Sequence, residues 1–396
     1  MFKLIFSVAA VTALAQLLQL ASQPLLTYLY TKESFGYLSV VMSIVAFAAL
    51  ICNFQFNNLI LISKENTKKL FRSGLFFSAL FELIVFLILF LFSFYIFSEN
   101  RLTLYLLTIF YLSFYCFNVL FRAAMLKEGR NKIYSFGILI RSLVVVLGQV
   151  FFSFFYETFG LIIGMVVGEF ILILYGLYYG NGLISFKGFE FKEILAPLVS
   201  ERKFLIIGTI QELTSTSMFL APLVLIIYKY SYELGGEFSV VHKLAWGPAF
   251  LLAQVVSPIL LQHLSKENFK EKFLFDIKKA IIFFVISSVT IYFSAEFFFS
   301  LILKSDWYNA IWMSKYIIIW ALSFIMALPY RVLIRSEKRQ EIQFLTDLCI
   351  LSIFLSIFFI DYDFQQYILL LTLFGVFGNF IVMLLGGNLA RRRGWV

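Results

Sequence analysis

PLLTYLYTKESFGYLSVV, residues 24–41, reads as the end of one apolar helix, a short polar turn and the start of another. Pro24 and the apolar run through Tyr30 close the first helix. Thr31, Lys32, Glu33 and Ser34 form the turn, and Phe35 and Gly36 open the second helix. About 200 residues later PLVLIIYKYSYELGGEFSVV (222–241) repeats the arrangement, and Gly36, Ser39, Val40 and Val41 recur as Gly236, Ser239, Val240 and Val241. Two further pairs of stretches keep nearly the same offset. FRAAMLKEGRNKI (121–133) compares with YRVLIRSEKRQEI (330–342), and GEFILILYG (168–176) with GNFIVMLLG (378–386). Matches in order at corresponding helices predict an internal repeat. With six helices per half, the repeats run parallel about an axis along the membrane normal.

Composition sets the class. Hydrophobic residues make up 61% of the 396 residues and charged residues 14%. A soluble chain of this length needs more polar surface, and apolar runs long enough to span a bilayer recur from end to end. The expected fold is an all-α polytopic membrane protein of about twelve helices. They fall near 4–29, 36–62, 73–97, 102–126, 134–156 and 159–179, then 204–228, 237–261, 280–303, 309–333, 344–361 and 366–389. The N-terminal lobe is residues 1–180, the linker 181–203 and the C-terminal lobe 204–396. Met1 to Ala15 has features of a cleavable signal peptide, but the apolar character continues to Tyr30, as in a spanning helix. Cys52, Cys116 and Cys349 lie in apolar runs and suggest no disulfide framework. His242 and His263 have no zinc spacing.

The net charge of +9 reads as the positive-inside bias rather than as a nucleic-acid surface. One set of loops, with both termini, holds twenty-three Lys and Arg. The opposite set holds Lys32, Arg101, Lys229 and Lys304. Both termini are therefore expected in the cytoplasm, and the resemblance given below implies a bacterial inner membrane.

Polar groups inside the spans point to function, because lipid cannot satisfy them. Gln16, Gln19 and Gln23 share one helical face, and Thr214 and Ser217 take the places of Gln16 and Gln19 in the second half. These faces either line a water-filled cavity between the halves or hold the bundle together by interhelical hydrogen bonds. Arg141 lies about 12 Å into its helix, where it binds an anion or pairs with an acid. Lys243 and Lys315 lie near outer helix ends, where snorkelling competes with a cavity role. Arg122 and Arg331 lie near inner ends, where interface anchoring competes. Glu169 is near the middle of helix six and Glu212 is part-way along helix seven. Either is a proton-site candidate, or only a partner to a cation. Gly160, Gly164 and Gly168, four residues apart, read as close helix packing. No nucleotide-binding loop, nucleophile elbow or zinc-protease motif occurs, so the chain reads as a transporter rather than an enzyme.

The hairpin at 24–41 resembles the first two helices of Wzx-like polysaccharide flippases, in its Pro, Tyr and Phe-Gly positions. PLVLIIYKYSYELGGEFSVV, HKLAWGPAFLLAQVVSPIL (242–260) and KSDWYNAIWMSKYIIIW (304–320) are similar to the same family. It is the polysaccharide-transporter branch of the MOP exporter superfamily. The resemblance implies twelve helices in two six-helix lobes around a central cavity. It also implies flipping of an undecaprenyl-pyrophosphate-linked oligosaccharide from the inner to the outer leaflet, for O-antigen or a related surface polysaccharide. Family members use cavity cations at varying positions, so the motifs carry none over. The expected partners are that lipid-linked oligosaccharide, membrane lipids and polysaccharide assembly proteins, with no nucleic acid and no cofactor. Proton or sodium coupling would drive the cycle. The competing readings are another MOP-type exporter, for a drug or a different lipid-linked precursor, and a membrane-embedded glycan polymerase. A polymerase would be expected to show a large outer loop, which this chain lacks.

The charge split makes a direct prediction. Single cysteines at 127–133 or 266–279 should stay unlabelled by an impermeant thiol reagent in intact cells, and those at 31–34 or 229–235 should label. The reverse pattern would invert the topology.

Overall fold

The computed structural model describes residues 2–63, 65–96, 101–179, 191–264, 276–337 and 339–392. Residues 181–190 of the expected linker, most of the loop at 266–279, and Lys64, Lys338 and Arg393 of the basic set lie outside them. Every regular element among the described residues is helical. The first seven helices are α1 (Phe2–Ala21), α2 (Gln23–Leu29), α3 (Lys32–Asn53), α4 (Phe56–Ile62), α5 (Thr67–Ile96), α6 (Arg101–Lys127) and α7 (Asn131–Phe152). The next four are α8 (Gly160–Tyr179), α9 (Phe191–Ser200), α10 (Arg202–Lys229) and α11 (Tyr232–Leu264). The last four are α12 (Ile277–Ile302), α13 (Tyr308–Ser336), α14 (Gln340–Phe358) and α15 (Phe364–Arg392). Ten of them are long and apolar enough to cross a membrane. The two remaining expected spans correspond to α1 with α2, and to α11. The protein is an all-α polytopic membrane protein.

Two expected helices are broken. The first stops at Ala21 because Pro24 lacks the N–H that would bond back to residue 20, and its ring crowds that carbonyl. The second breaks at Phe54 and Gln55, whose φ values of 42° and 61° are left-handed. The polar turn after α2 is also shorter than expected, since α3 already starts at Lys32.

The helices pack as two compact units, Met1–Ser22 with Tyr37–Thr216, and Gln23–Gly36 with Ser217–Val396. The expected boundary lay at 181–203. Residues 204–216 pack in the first unit, and the turn-bearing segment 23–36 packs in the second. The first unit's core joins Phe56, Leu70, Phe71, Leu120, Phe121 and Leu205, and α9 lays Ile194, Leu195 and Leu198 on it. In the second unit α13 is central, with Trp320, Tyr330 and Leu333 fully buried. Along one face of α11 the rings of Phe238, His242, Trp246 and Phe250 follow one another at every fourth residue. Neighbouring rings lie 5.5–5.7 Å apart.

The 23–36 segment is pinned tightly in the second unit. Lys32 pairs with Glu237 at 2.7 Å and donates to the Asp306 carbonyl. Glu237 is 1% exposed, and its other oxygen accepts the Ala310 amide at 2.7 Å. A carboxylate thus sits on the free N–H groups at the start of α13, where helix geometry favours negative charge. Phe35 meets Trp307 edge-on at 5.5 Å. The two repeat-equivalent glycines also meet here. A Cβ on Gly36 would overlap the Tyr232 carbonyl, and one on Gly236 the Lys32 carbonyl.

The four exceptions to the charge bias are all structurally engaged. Lys229 donates to the carbonyls of Phe358, at 3.1 Å, and Ile360, where a cation suits the end of α14. Lys304 donates to the Tyr28 carbonyl at 2.9 Å. Arg101 bonds Ser93 Oγ at 2.6 Å. Beside Lys229, the Tyr230 hydroxyl donates to the Tyr362 carbonyl at 2.8 Å. Burial and the nearby Asp363 and Asp361 carboxylates push its pKa up to about 12, so it remains a donor at physiological pH.

The Lys32–Glu237 pair gives an ordered prediction. The carboxylate is 2% exposed and the Lys32 side chain 19%. Removing the cation strands a buried charge, whereas removing the anion leaves a cation that can reach water. Lys32→Met should therefore lower the melting temperature of detergent-purified protein more than Glu237→Gln does. Equal or reversed losses would contradict the pair's role.

Candidate functional site: two buried polar seams

The first seam joins α6, α7 and α8. Small residues bring α7 and α8 together: a Cβ on Gly164 would overlap Gln149, and one on Gly168 would overlap Val145. The expected packing role holds for Gly164 and Gly168. The close approach also sets Glu169, next to Gly168, against Arg141. Arg141 Nη2 lies 2.5 Å from Glu169 Oε1, and Nε donates to the same oxygen at 2.6 Å. Glu169 Oε2 accepts from Asn118 Nδ2 at 2.6 Å, and the same amide reaches the Glu169 carbonyl at 3.0 Å. Glu169 is 1% exposed. Beside Arg141, Ser142 Oγ accepts from Gln19 Nε2 at 3.1 Å, which brings α1 to the same place.

The second seam joins the repeat-equivalent helices α13, α14 and α15 with the charges rearranged. Arg331 Nη1 lies 3.4 Å from Asp347 Oδ1. Its Nη2 donates to Asn379 Oδ1 at 3.2 Å, and Asn379 Nδ2 donates to Ser323 Oγ at 2.9 Å. Asn379 takes the place of Glu169. The cation has moved from the middle helix to the first, and the acid to the middle helix. Arg331, Asp347 and Asn379 are all buried.

Glu212 stands in a third polar group. At the α3–α4 break the Gln55 side chain donates to Glu212 and, at 3.3 Å, to the Gly208 carbonyl. Asn58 Nδ2 donates to Gln55 Oε1 at 2.5 Å, which fixes the amide with its N–H groups toward α10. Glu212 forms no ion pair among the described residues.

The remaining candidates are dispersed. Lys315 pairs with Glu296 at 2.7 Å and lies over the Tyr292 and Tyr316 rings. Lys243 is half-buried on α11. Arg122 is half-buried on α6, and its Nε has no hydrogen-bond partner among the described residues. Thr214 returns its hydroxyl to its own helix, at Ile210 O, 3.0 Å away. Gln16 and Ser217 are half-buried, and Gln23 is buried in the second unit. Sequence reasoning missed Gln55, Asn58, Asn118, Ser142 and Ser323. The run of amides at Asn53, Gln55, Asn57 and Asn58 inside an apolar span was the available signal.

Arg141 and Glu169 should behave as one unit. Arg141→Ala strands a buried carboxylate and should cost about 3–5 kcal/mol. Adding Glu169→Gln should recover most of that loss, as read from denaturation of detergent-purified protein. Additive losses would break the coupling.

The sequence matches no protein-family profile and no curated relative. Its fold is similar to that of solved transporters. An inward-facing multidrug resistance MATE family transporter of the MOP superfamily aligns with TM-score 0.66 and 14% identity, over 96% of this chain and 94% of that one. The lipid II flippase MurJ, in an inward closed conformation, aligns with TM-score 0.75 and 13% identity, over 96% and 87%. A MOP superfamily transporter from Pyrococcus furiosus aligns with TM-score 0.60 and 12% identity, over 98% and 95%. The chain has the fold of MOP-superfamily transporters.

Proposed function

We propose that the chain is a flippase that moves an undecaprenyl-pyrophosphate-linked oligosaccharide repeat unit from the cytoplasmic to the outer leaflet by alternating access, for O-antigen or a related surface polysaccharide. The observation that carries this reading is the buried Arg141–Glu169–Asn118 seam within a fold similar to that of a lipid II flippase. Arginine suits pyrophosphate because its planar fork gives two parallel charge-assisted bonds. Two of its nitrogens now share one Glu169 oxygen. The cargo's anionic head would compete with Glu169 for that guanidinium. Gln19 and Ser142 alongside supply donors and acceptors for sugar hydroxyls, and the apolar tail stays in lipid.

The chain's own residues suggest how the cycle is driven. A coupling group must bind its ion in one state and release it in the other. Glu169 has its charge matched by Arg141. Glu212 faces the Gln55 amide instead, so proton exchange there leaves no guanidinium stranded. Glu212 is the better candidate for a coupling proton, with sodium bound through neighbouring hydroxyls as the other form of the same idea. Likeness to the MATE transporter supports a second reading, export of an amphipathic drug.

Purified protein in vesicles decides between them. Flipping of a lipid-linked oligosaccharide should respond to an imposed pH gradient, and Glu212→Gln should abolish that response while keeping the protein folded. The folded Arg141→Gln/Glu169→Gln variant should lose flipping by at least ten-fold. Extrusion of a cationic dye with no movement of the oligosaccharide would support the drug reading. Wild-type flipping that ignores the gradient would remove the coupling proposal.

A further inference from the structure

α14 and α15 leave a groove of about 280 Å³ between them. Ile342, Thr346 and Ile353 line it on one helix, and Phe374, Ile381 and Leu385 on the other. Its floor is Ile350 against Gly378, where a Cβ on the glycine would overlap Ile350. The Thr346 hydroxyl is engaged by the Ile342 carbonyl of its own helix at 2.8 Å, so the lining offers an occupant apolar surface. The span from Ile342 to Ile353, like that from Phe374 to Leu385, is about 16 Å along the helix axis. That is roughly half the 30 Å hydrocarbon core of a bilayer, the depth of one acyl chain in one leaflet.

The groove ends at a cationic rim. Arg339 precedes Ile342 by one turn, and Arg391 and Arg392 close α15 about 9 Å beyond Leu385. All three are exposed. Arg335, also exposed, ends α13 at the same side. The acids there among the described residues are Glu337, the exposed Glu341 and Asp276, the last paired with Lys279 at 3.2 Å, so the rim is net positive. An apolar slot one leaflet deep with arginines at its mouth has two-part chemistry. It fits a chain below and a phosphate above.

We propose that this groove binds an anionic phospholipid of the leaflet on the arginine-bearing side, with an acyl chain between α14 and α15 and the headgroup phosphate on Arg339, Arg391 and Arg392. Each arginine close to the headgroup layer contributes about 1 kcal/mol, or roughly five-fold in occupancy, and salt screens that attraction. The site does not depend on what the protein transports.

Cys349 lines the groove and is exposed, whereas Cys52 and Cys116 are buried. Its alkylation by N-ethylmaleimide therefore reports occupancy in the full-length protein. In nanodiscs, phosphatidylglycerol should slow the reaction at Cys349 several-fold relative to phosphatidylcholine. High salt should erase the difference. Arg391→Gln/Arg392→Gln should reduce it by about five-fold or more, with loss of phosphatidylglycerol retained in native mass spectrometry. Ile381→Trp, which fills the slot, should abolish retention while leaving the rim intact. Equal rates in the two lipids, or protection indifferent to both salt and the arginines, would overturn the proposal. Stronger protection by undecaprenyl phosphate than by phosphatidylglycerol at equal mole fraction would also overturn it, and would assign the groove to the polyprenyl carrier.

Discussion

A charge in the hydrocarbon region must be answered by another group of the protein, because lipid offers neither hydrogen bonds nor counter-ions. The architecture of each unit follows from that constraint. Glu169 is held on one oxygen by two nitrogens of Arg141 and on the other by Asn118. Three helices have to stay in register for this to persist. The glycines at 164 and 168 are what allow α7 and α8 to come that close. Packing and electrostatics therefore specify each other: without the small residues the ion pair cannot form, and without the ion pair the acid cannot stay buried.

The second unit meets the same constraint by a different circuit. Arg331, Asp347, Asn379 and Ser323 link the equivalent three helices with one acid, one cation, an amide and a hydroxyl. The repeat conserves the need for a polar seam but not the identity of the charged positions. Only the first seam has two guanidinium nitrogens at 2.5–2.6 Å from a single oxygen, and α1 brings Gln19 beside it. That difference is why the first seam, and not its counterpart, is the one proposed to meet the cargo.

Much of this was legible in the sequence, because lipid imposes long apolar runs and a charge bias that local reading can detect. The spans came from the apolar runs, whereas the repeat came from recurring motifs and the glycine packing from four-residue spacing. Pairing across helices was less accessible. Arg141 and Glu169 were both visible as intramembrane charges, with pairing one of two readings, but Asn118 gave no cue inside an aromatic-rich run. The break at Phe54 and Gln55 was also hidden, since neither Gly nor Pro marks it. The Gln55 side chain there is held by a helix more than a hundred residues away as well as by Asn58, so a window around residue 55 contains only part of the cause.

That distance has a consequence for how the chain is made. Gln55 cannot be held by Gly208 and Glu212 until α10 has left the ribosome. Before then the break keeps its local contacts, Asn58 on the Gln55 amide and Phe81 against Phe54, set against a positive φ that non-glycine residues avoid. The nascent segment from Lys32 to Ile62 would be one continuous helix of about 46 Å, well beyond the thickness of the hydrocarbon core, and would have to tilt to fit. Arrival of α10 would then bend it. The first unit is thus finished only when its last helix inserts, and a ribosome stalled before residue 208 would leave a bundle whose second span still has the wrong shape.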